Sequence, residues 1–555
     1  MRAEMQLSPE LLSADVLPSA SNPAFSAVYN AHGVYNTLQF VLRLSPQVHR
    51  ILGSLDPGIT TNRALSFEGA QAMSTFLHET IHWWQHIGST YGFILSLNYP
   101  VQSHSTHFDL IELVEEDGFK KSVVAQAGAL SLRGPSGFGT TAGRANTIIN
   151  NHYDLLAFRA FTLGPESAKA VVEKNLFENM GHAFHMTYAH TVNQLASTVD
   201  KDFKILPHPK EWVDGFRALR DNKVEGYYYG SPIGLWPIGS REIFEGQACF
   251  AQLQYLSHAC GHRLNLDDFR SLGMLHGVYV RAFEEFLRLT ESDAPSSIND
   301  PLVGLFLLVC DLAINPGSGF PFPVTPNYES FVLDVNPGGR FSLLCRLIAL
   351  QFPSMKKAVT EYSRAEYEEI SSHLCVAAKE VSPLLISQLF AKWFASGGPL
   401  SSLRTEYQSY LFDPENYPLR YLFAHFLAFQ EDKFRRPEFF CWPGAWMAGN
   451  RVDENAAELF DRHGALFIDK EDDDAVFPKV QGGRDETVVS QAFNEFYNNT
   501  VVYDLTNQWI SQPGPFRYDI GWLQPSASRD QMKEFMRGNF KAAFQFDPED
   551  VRLLA

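Results

Sequence analysis

The five residues His78-Glu79-Thr80-Ile81-His82 constrain this chain more than any others. They lie in a proline-free run from Ser66 to about His86 that reads as one helix. Residues four apart on a helix share a face, one turn above each other, so both imidazoles can address one point in space. Glu79 points about a quarter-turn away, where a carboxylate can reach a water on a bound metal without binding the metal itself. Met73, Leu77, Ile81 and Trp84 recur at helical spacing and predict an amphipathic helix with one buried stripe, flanked by the two histidines. Gly88 and Ser89 supply a stop. With 18 histidines in 555 residues, chance placement gives on the order of 0.03 such patterns per chain. The bland alternative is a pair of core-edge histidines satisfied by hydrogen bonds; the intervening Glu79 argues against it.

The pattern resembles the active-site helix of the zincin metallopeptidases. That resemblance implies that His78 and His82 bind Zn2+ and that Glu79 is the general base in hydrolysis of a peptide bond. The extended metzincin form does not fit: Gln85 stands where its glycine belongs and Gly88 where its third histidine belongs. The gluzincin branch takes its third ligand from a glutamate on a second helix. Residues 240–256 offer such a helix, with Ser240 as N-cap and Glu242 in the first turn, where the helix dipole favours an anion. Glu245 is followed by Gly246, Ala248 and Ala251, small residues that let two helices approach. This Glu-Gly-x-Ala string is similar to the third-ligand segment of several gluzincin families, which implies Glu245 as the third ligand, beyond a long inserted segment. The plain alternative is an ordinary exposed helix carboxylate.

Rival ligands exist. Glu112, Glu115 and Glu116 lie nearer in sequence, on the helical stretch 108–119. His86 continues the i+4 series, but a fourth protein ligand would close the position that catalytic zinc leaves for water. His104 and His107 have ligand-like spacing among Ser and Thr in what reads as a turn. Glu245 ranks first, Glu115 or Glu116 second, the extra histidines last. Glu242 is the candidate to orient a ligand histidine from behind. Gluzincins often bring a Tyr or His to the oxyanion. Tyr227-Tyr228-Tyr229, ahead of the Gly/Pro-rich loop 230–239, and the segment 181–199 with His182, His185, Tyr188 and His190 both carry such groups. The donor is expected among the three consecutive tyrosines, with Tyr228 as the named candidate and the local sequence not separating it from its neighbours, although aromatic residues line cores more often than active sites.

Composition excludes several classes. The formal charge of −18, with no Lys/Arg cluster, argues against nucleic acid as the main partner. A hydrophobic content of 45% against 19% charged residues marks a globular chain. The first 18 residues lack a signal-peptide pattern, no segment reaches the length of a membrane span, and residues 302–314 read as a buried helix. Six scattered cysteines without C-x-x-C pairs indicate neither a disulfide framework nor a cysteine zinc site, and fit a cytoplasmic location.

Residues 34–44 are the best strand ahead of the metal helix, and residues 134–139 a plain Gly-rich loop. Helices are expected over 341–352, 364–379, 383–395 and 419–434, and the acidic run 469–474 is expected as a solvated loop. The fold expected is mainly α (α+β), a zincin-like core with a small sheet and a large helical remainder. Residues 1–290 would form the zincin-like domain with its insertion, 291–450 a helical domain and 451–555 an irregular C-terminal region. The function expected is that of a zinc metallopeptidase acting on a protein or peptide substrate, without nucleic acid or membrane, restrained by a narrow substrate range or by dependence on an activating, regulatory partner protein. A catalytically silent zincin-like scaffold is the alternative. An iron oxygenase is a third class, disfavoured because two His on one helix are unusual for its facial triad.

Overall fold

The motif helix begins where Ser66, in extended conformation, accepts a hydrogen bond from the Gly69 amide at 3.0 Å. Glu68 in the first turn complements the helix dipole, and the helix runs over Phe67–Gly88. It stops at Ser89, which also caps the next helix, Thr90–Asp117. The Ser89 hydroxyl donates to Gln85 O at 2.6 Å and accepts from the Gly92 amide at 2.9 Å, so one side chain serves both helix ends. A Cβ on Gly92 would stand 1.9 Å from Gln85 O; only glycine permits this tight corner.

The computed structural model describes residues 33–55, 65–132, 137, 139–172, 176–324, 327–395 and 397–554. The first 32 residues, with the segment read for a signal, and most of the 134–139 loop lie outside it. Among the described residues the fold is mainly α with a small sheet, as the sequence pattern predicts. The four expected helices at 341–434 form as Pro337–Leu350, Arg364–Ala378, Pro383–Ala395 and Tyr417–Arg435. No single described helix is long and apolar enough to cross a membrane, and Pro301–Ala313 is buried almost throughout. All six cysteines are buried and unbridged.

Several expectations need correction. The motif helix is not amphipathic: from Gly69 to Gly88 nearly every residue is buried, because other elements cover all its sides. The single strand at 34–44 is a hairpin, β1 (Gly33–Asn36) and β2 (Val41–Leu44), turned through Phe40 at a φ of 61°. A two-residue strand β3 (Lys120–Lys121) follows. The acidic run belongs to a second hairpin, β4 (Phe467–Lys470) and β5 (Asp473–Pro478). Within it Asp469 is buried, accepting from the Leu44 amide at 3.1 Å and facing His49 Nε2 at 2.6 Å. The last hundred residues are not irregular: they carry the helices Glu486–Ser511 and Arg529–Phe544. His104 and His107 lie on the Thr90–Asp117 helix, which runs on through Pro100, rather than in a turn.

The main sheet has the order β1-β2-β4-β5. β1 and β2 pair antiparallel, Gly33 opposite Leu44, while β2 and β4 run parallel, Val41 beside Phe467. β3 pairs parallel with β6 (Arg552–Leu553). Both sheets thus join early chain to late chain.

The end of the motif helix fits closely against Tyr417–Arg435. Gly88 O accepts from Gln430 Nε2 at 2.8 Å, and a Cβ on Gly88 would stand 2.3 Å from the Phe429 ring. Gly88→Ala would gain at most about 1 kcal/mol of helix propensity but overpack a closed contact, at about 1–3 kcal/mol. We expect a net loss of stability in equilibrium denaturation; an unchanged or raised midpoint would refute this packing.

Candidate metal centre

Three lone-pair atoms converge between two buried helices. The motif helix supplies His78 and His82; Ser240–Ala259 supplies Glu245. All three are buried, His82 completely. The two Nε2 atoms stand 3.1 Å apart, and Glu245 Oε2 lies 3.6 Å from that of His78 and 3.4 Å from that of His82.

Their tautomers follow from what holds the rings. His78 Nδ1 meets Gln252 Oε1 at 3.0 Å, and His82 Nδ1 meets Gln85 Oε1 at 2.8 Å. Each glutamine is oriented through its amide nitrogen. Gln252 Nε2 donates to Ser74 Oγ, and Gln85 Nε2 donates to Phe244 O and Gln247 Oε1. Both amide oxygens therefore face the rings as acceptors, so each Nδ1 carries a proton and each ring, when neutral, turns a bare Nε2 lone pair inward. Glu245 Oε2 is buried and has no hydrogen-bond partner. Three mutually repelling lone pairs in a low-dielectric core need a positive charge between them.

The spacing suits a metal ion. A tetrahedral ion with ligand bonds of about 2.0–2.1 Å holds its ligand atoms about 3.3 Å apart, and the observed separations bracket that value. These residues could hold a metal ion, and they are the only such group among the described residues.

Without a cation, a proton takes the place. Burial works to lower the His82 ring pKa, but Glu245, with help from Glu79 and Gln85, raises it to about 9. Burial also works to raise Glu245, yet His82 and His78 hold it below the usual carboxylate range.

Glu79 is buried beside the triad and does not join it. Burial raises its pKa, the facing His78 and His82 pull it back, Glu245 adds to the rise, and the Tyr35 main chain lowers it with a hydrogen bond. The net shift is upward. Edge strand β1 fixes this side chain: a Cβ on Gly33 would stand 2.6 Å from Glu79 Cγ.

The other candidates fall elsewhere. Glu112, Glu115 and Glu116 are exposed, and Glu112 and Glu116 pair with Arg144. His86 packs against Tyr35 and Phe244, and burial, with His82 and Arg159, pulls it down to about 3. His104 faces the Tyr503 hydroxyl, and His182 faces Asp154. Glu242 orients no ligand: its Oε2 accepts from the Gly239 amide at 2.8 Å, capping a helix whose N-cap is Gly239 rather than Ser240. Gly246 faces Ala282 and Phe306, not the motif helix.

Tyr228 is half-buried in a turn, its carbonyl accepting from the Ser231 amide, and no described hydrogen bond or ring contact joins it to the triad. The phenol at the site is Tyr279, its ring 6.0 Å from that of His78. Burial, then the charges of Glu245 and Glu79, push its pKa far up. Tyr279 begins the helix Val278–Thr290 after a turn through Gly273 and Gly277, both at positive φ. Nothing in its local sequence marks it.

Compared with protein-family models, with curated proteins and with solved structures, the chain shows no match.

A metal must displace the His82 proton wherever that ring is charged, so acid weakens binding. Metal affinity should rise about tenfold per pH unit from pH 6 to 8 and level off above about 9. Competition titrations with a chromophoric chelator measure this; a flat profile would contradict the arrangement of protons described here.

Proposed function

We propose that this chain is a zinc-dependent metallopeptidase of the zincin type, gluzincin-like in its ligand set, that hydrolyses peptide bonds in a protein or peptide substrate. The observation that carries the reading is the convergence of His78 Nε2, His82 Nε2 and the partnerless Glu245 Oε2, with a further carboxylate, Glu79, beside them. Two neutral imidazoles and one carboxylate leave an open position, the donor set of catalytic rather than structural zinc. Bound there, zinc supplies Lewis acidity that lowers the pKa of a coordinated water and polarises a carbonyl.

The chain's own residues do the rest. Glu79, raised above the ordinary carboxylate range, is suited to take a proton from the attacking water and return it to the leaving amine. Gly33 and Tyr35 hold it in place, so little reorganisation accompanies the transfer. Tyr279 keeps its proton at neutral pH and is the group we assign to the oxyanion, in place of Tyr228. Gln85 and Gln252 keep the two imidazoles in the tautomer that faces inward.

A second reading has one observation in its favour: the whole site is buried, Glu79 included. A silent scaffold would hold the same metal and cleave nothing. The two readings part at Glu79. Glu79→Gln should keep about one metal ion per chain while losing at least 10²-fold in hydrolysis of a substrate that the parent cleaves. Tyr279→Phe should lower kcat by about 10²–10³-fold with little change in metal content. Parent-rate cleavage by Glu79→Gln would remove the general-base assignment, and a parent with no metal-dependent cleavage of any protein would favour the scaffold.

A further inference from the structure

A separate recess opens at the turn of the hairpin whose first strand braces Glu79. The β1–β2 turn, the Thr90–Asp117 helix, the Glu486–Ser511 helix and residues 517–522 enclose a cavity of about 300 Å³. That is the small end of the range for ligand pockets. None of the metal-centre residues lines it.

Its walls carry five aromatic rings: Phe40, Tyr99, Phe496, Tyr503 and Trp522. Its polar lining includes two carboxylates, Asp504 and Asp519. Asp504 is reached by solvent, yet the protein around it raises its pKa, as a carboxylate inside a concave recess requires. Asp504 Oδ2 accepts from Gln508 Nε2 at 2.8 Å, and Asp519 Oδ1 accepts from the Gly521 amide at 2.9 Å. Neither carboxylate forms an ion pair among the described residues. Arg517 also lines the recess; its charge partly offsets the rise at Asp504, and its Nη2 donates to Gln512 Oε1. Asn507 Oδ1 is buried without a partner and also lines the recess.

Two carboxylates with unused acceptor capacity, one orphaned amide oxygen and five rings outweigh the one lining cation and make one kind of site. The oxygens call for a ligand rich in N–H donors, and ring faces attract a cation while covering an apolar body. The chain's net charge of −18 favours the approach of the same ligand. We propose that this cavity binds a small organic cation, an ammonium or amidinium group carried on a flat or short apolar body.

The test is calorimetric titration of the full chain with benzylamine, benzamidine and the neutral shape control benzyl alcohol. Both cations should bind with dissociation constants below about 1 mM, the alcohol at least about tenfold more weakly. Asp504→Asn should weaken benzylamine binding at least about tenfold, since it removes the charge and keeps the shape. Chelator-treated protein and Glu79→Gln should bind benzylamine like the parent. The proposal is overturned by equal affinity for the alcohol, by undiminished binding in a folded Asp504→Asn variant, by no binding of either cation, or by loss of binding when metal is removed. Should Asp504→Asn not fold, the amine-to-alcohol comparison on the unaltered chain decides alone.

Discussion

Three lone pairs pressed together in a dry core are the constraint on which the rest depends. His78, His82 and Glu245 are buried, and their inner atoms lie within 3.6 Å of one another. Left bare, that arrangement would be costly, because a buried polar group without a partner loses its water and gains nothing. Much of the neighbourhood makes sense as support for it. Gln85 and Gln252 each spend an amide oxygen on a ring Nδ1 and anchor the amide nitrogen elsewhere. The glutamines thus convert helix packing into imidazole orientation, and the orientation leaves a place for a positive charge.

The fold surrounds that place instead of presenting it at a surface. Most of the motif helix is buried, with Tyr417–Arg435 against its C-terminal end, the Glu245 helix along one side and the β1 edge along another. Such enclosure strengthens every electrostatic interaction inside it. His78 is the least buried member of the triad, and the Tyr279 ring packs against it.

How much of this could be read from residues alone follows a physical rule. The two histidines and Glu79 were legible because helical geometry fixes their relation locally. Glu245 was legible only through a short string of small residues, and for a partly mistaken reason, since Gly246 faces Ala282 and Phe306. Tyr279 was invisible: its place beside His78 is set by tertiary packing across some two hundred residues of sequence. The glutamine braces were hidden likewise, because a glutamine pattern says nothing until its partner is known. The amphipathic reading failed because periodicity finds the most apolar stripe but cannot tell that polar residues such as Gln71, Gln85 and His86 are buried as well. The C-terminal helices were missed because their apolar positions are broken by Asn, Thr and Asp, some of which line the cavity at Asp504 and Asn507.

The parallel pairing of β2 with β4 carries a consequence for biosynthesis. Phe467, the neighbour of Val41 across the sheet, is made more than four hundred residues after it. At about 5–20 residues per second, that is an interval of roughly 20–85 s. Throughout it, the hairpin that positions Glu79 lacks its sheet, and His49 lacks Asp469. A nascent chain can therefore contain His78, His82 and Glu245 and still have no rigid seat for Glu79. The Glu79 side chain gains its settled brace only once β4 has been made and has paired with β2.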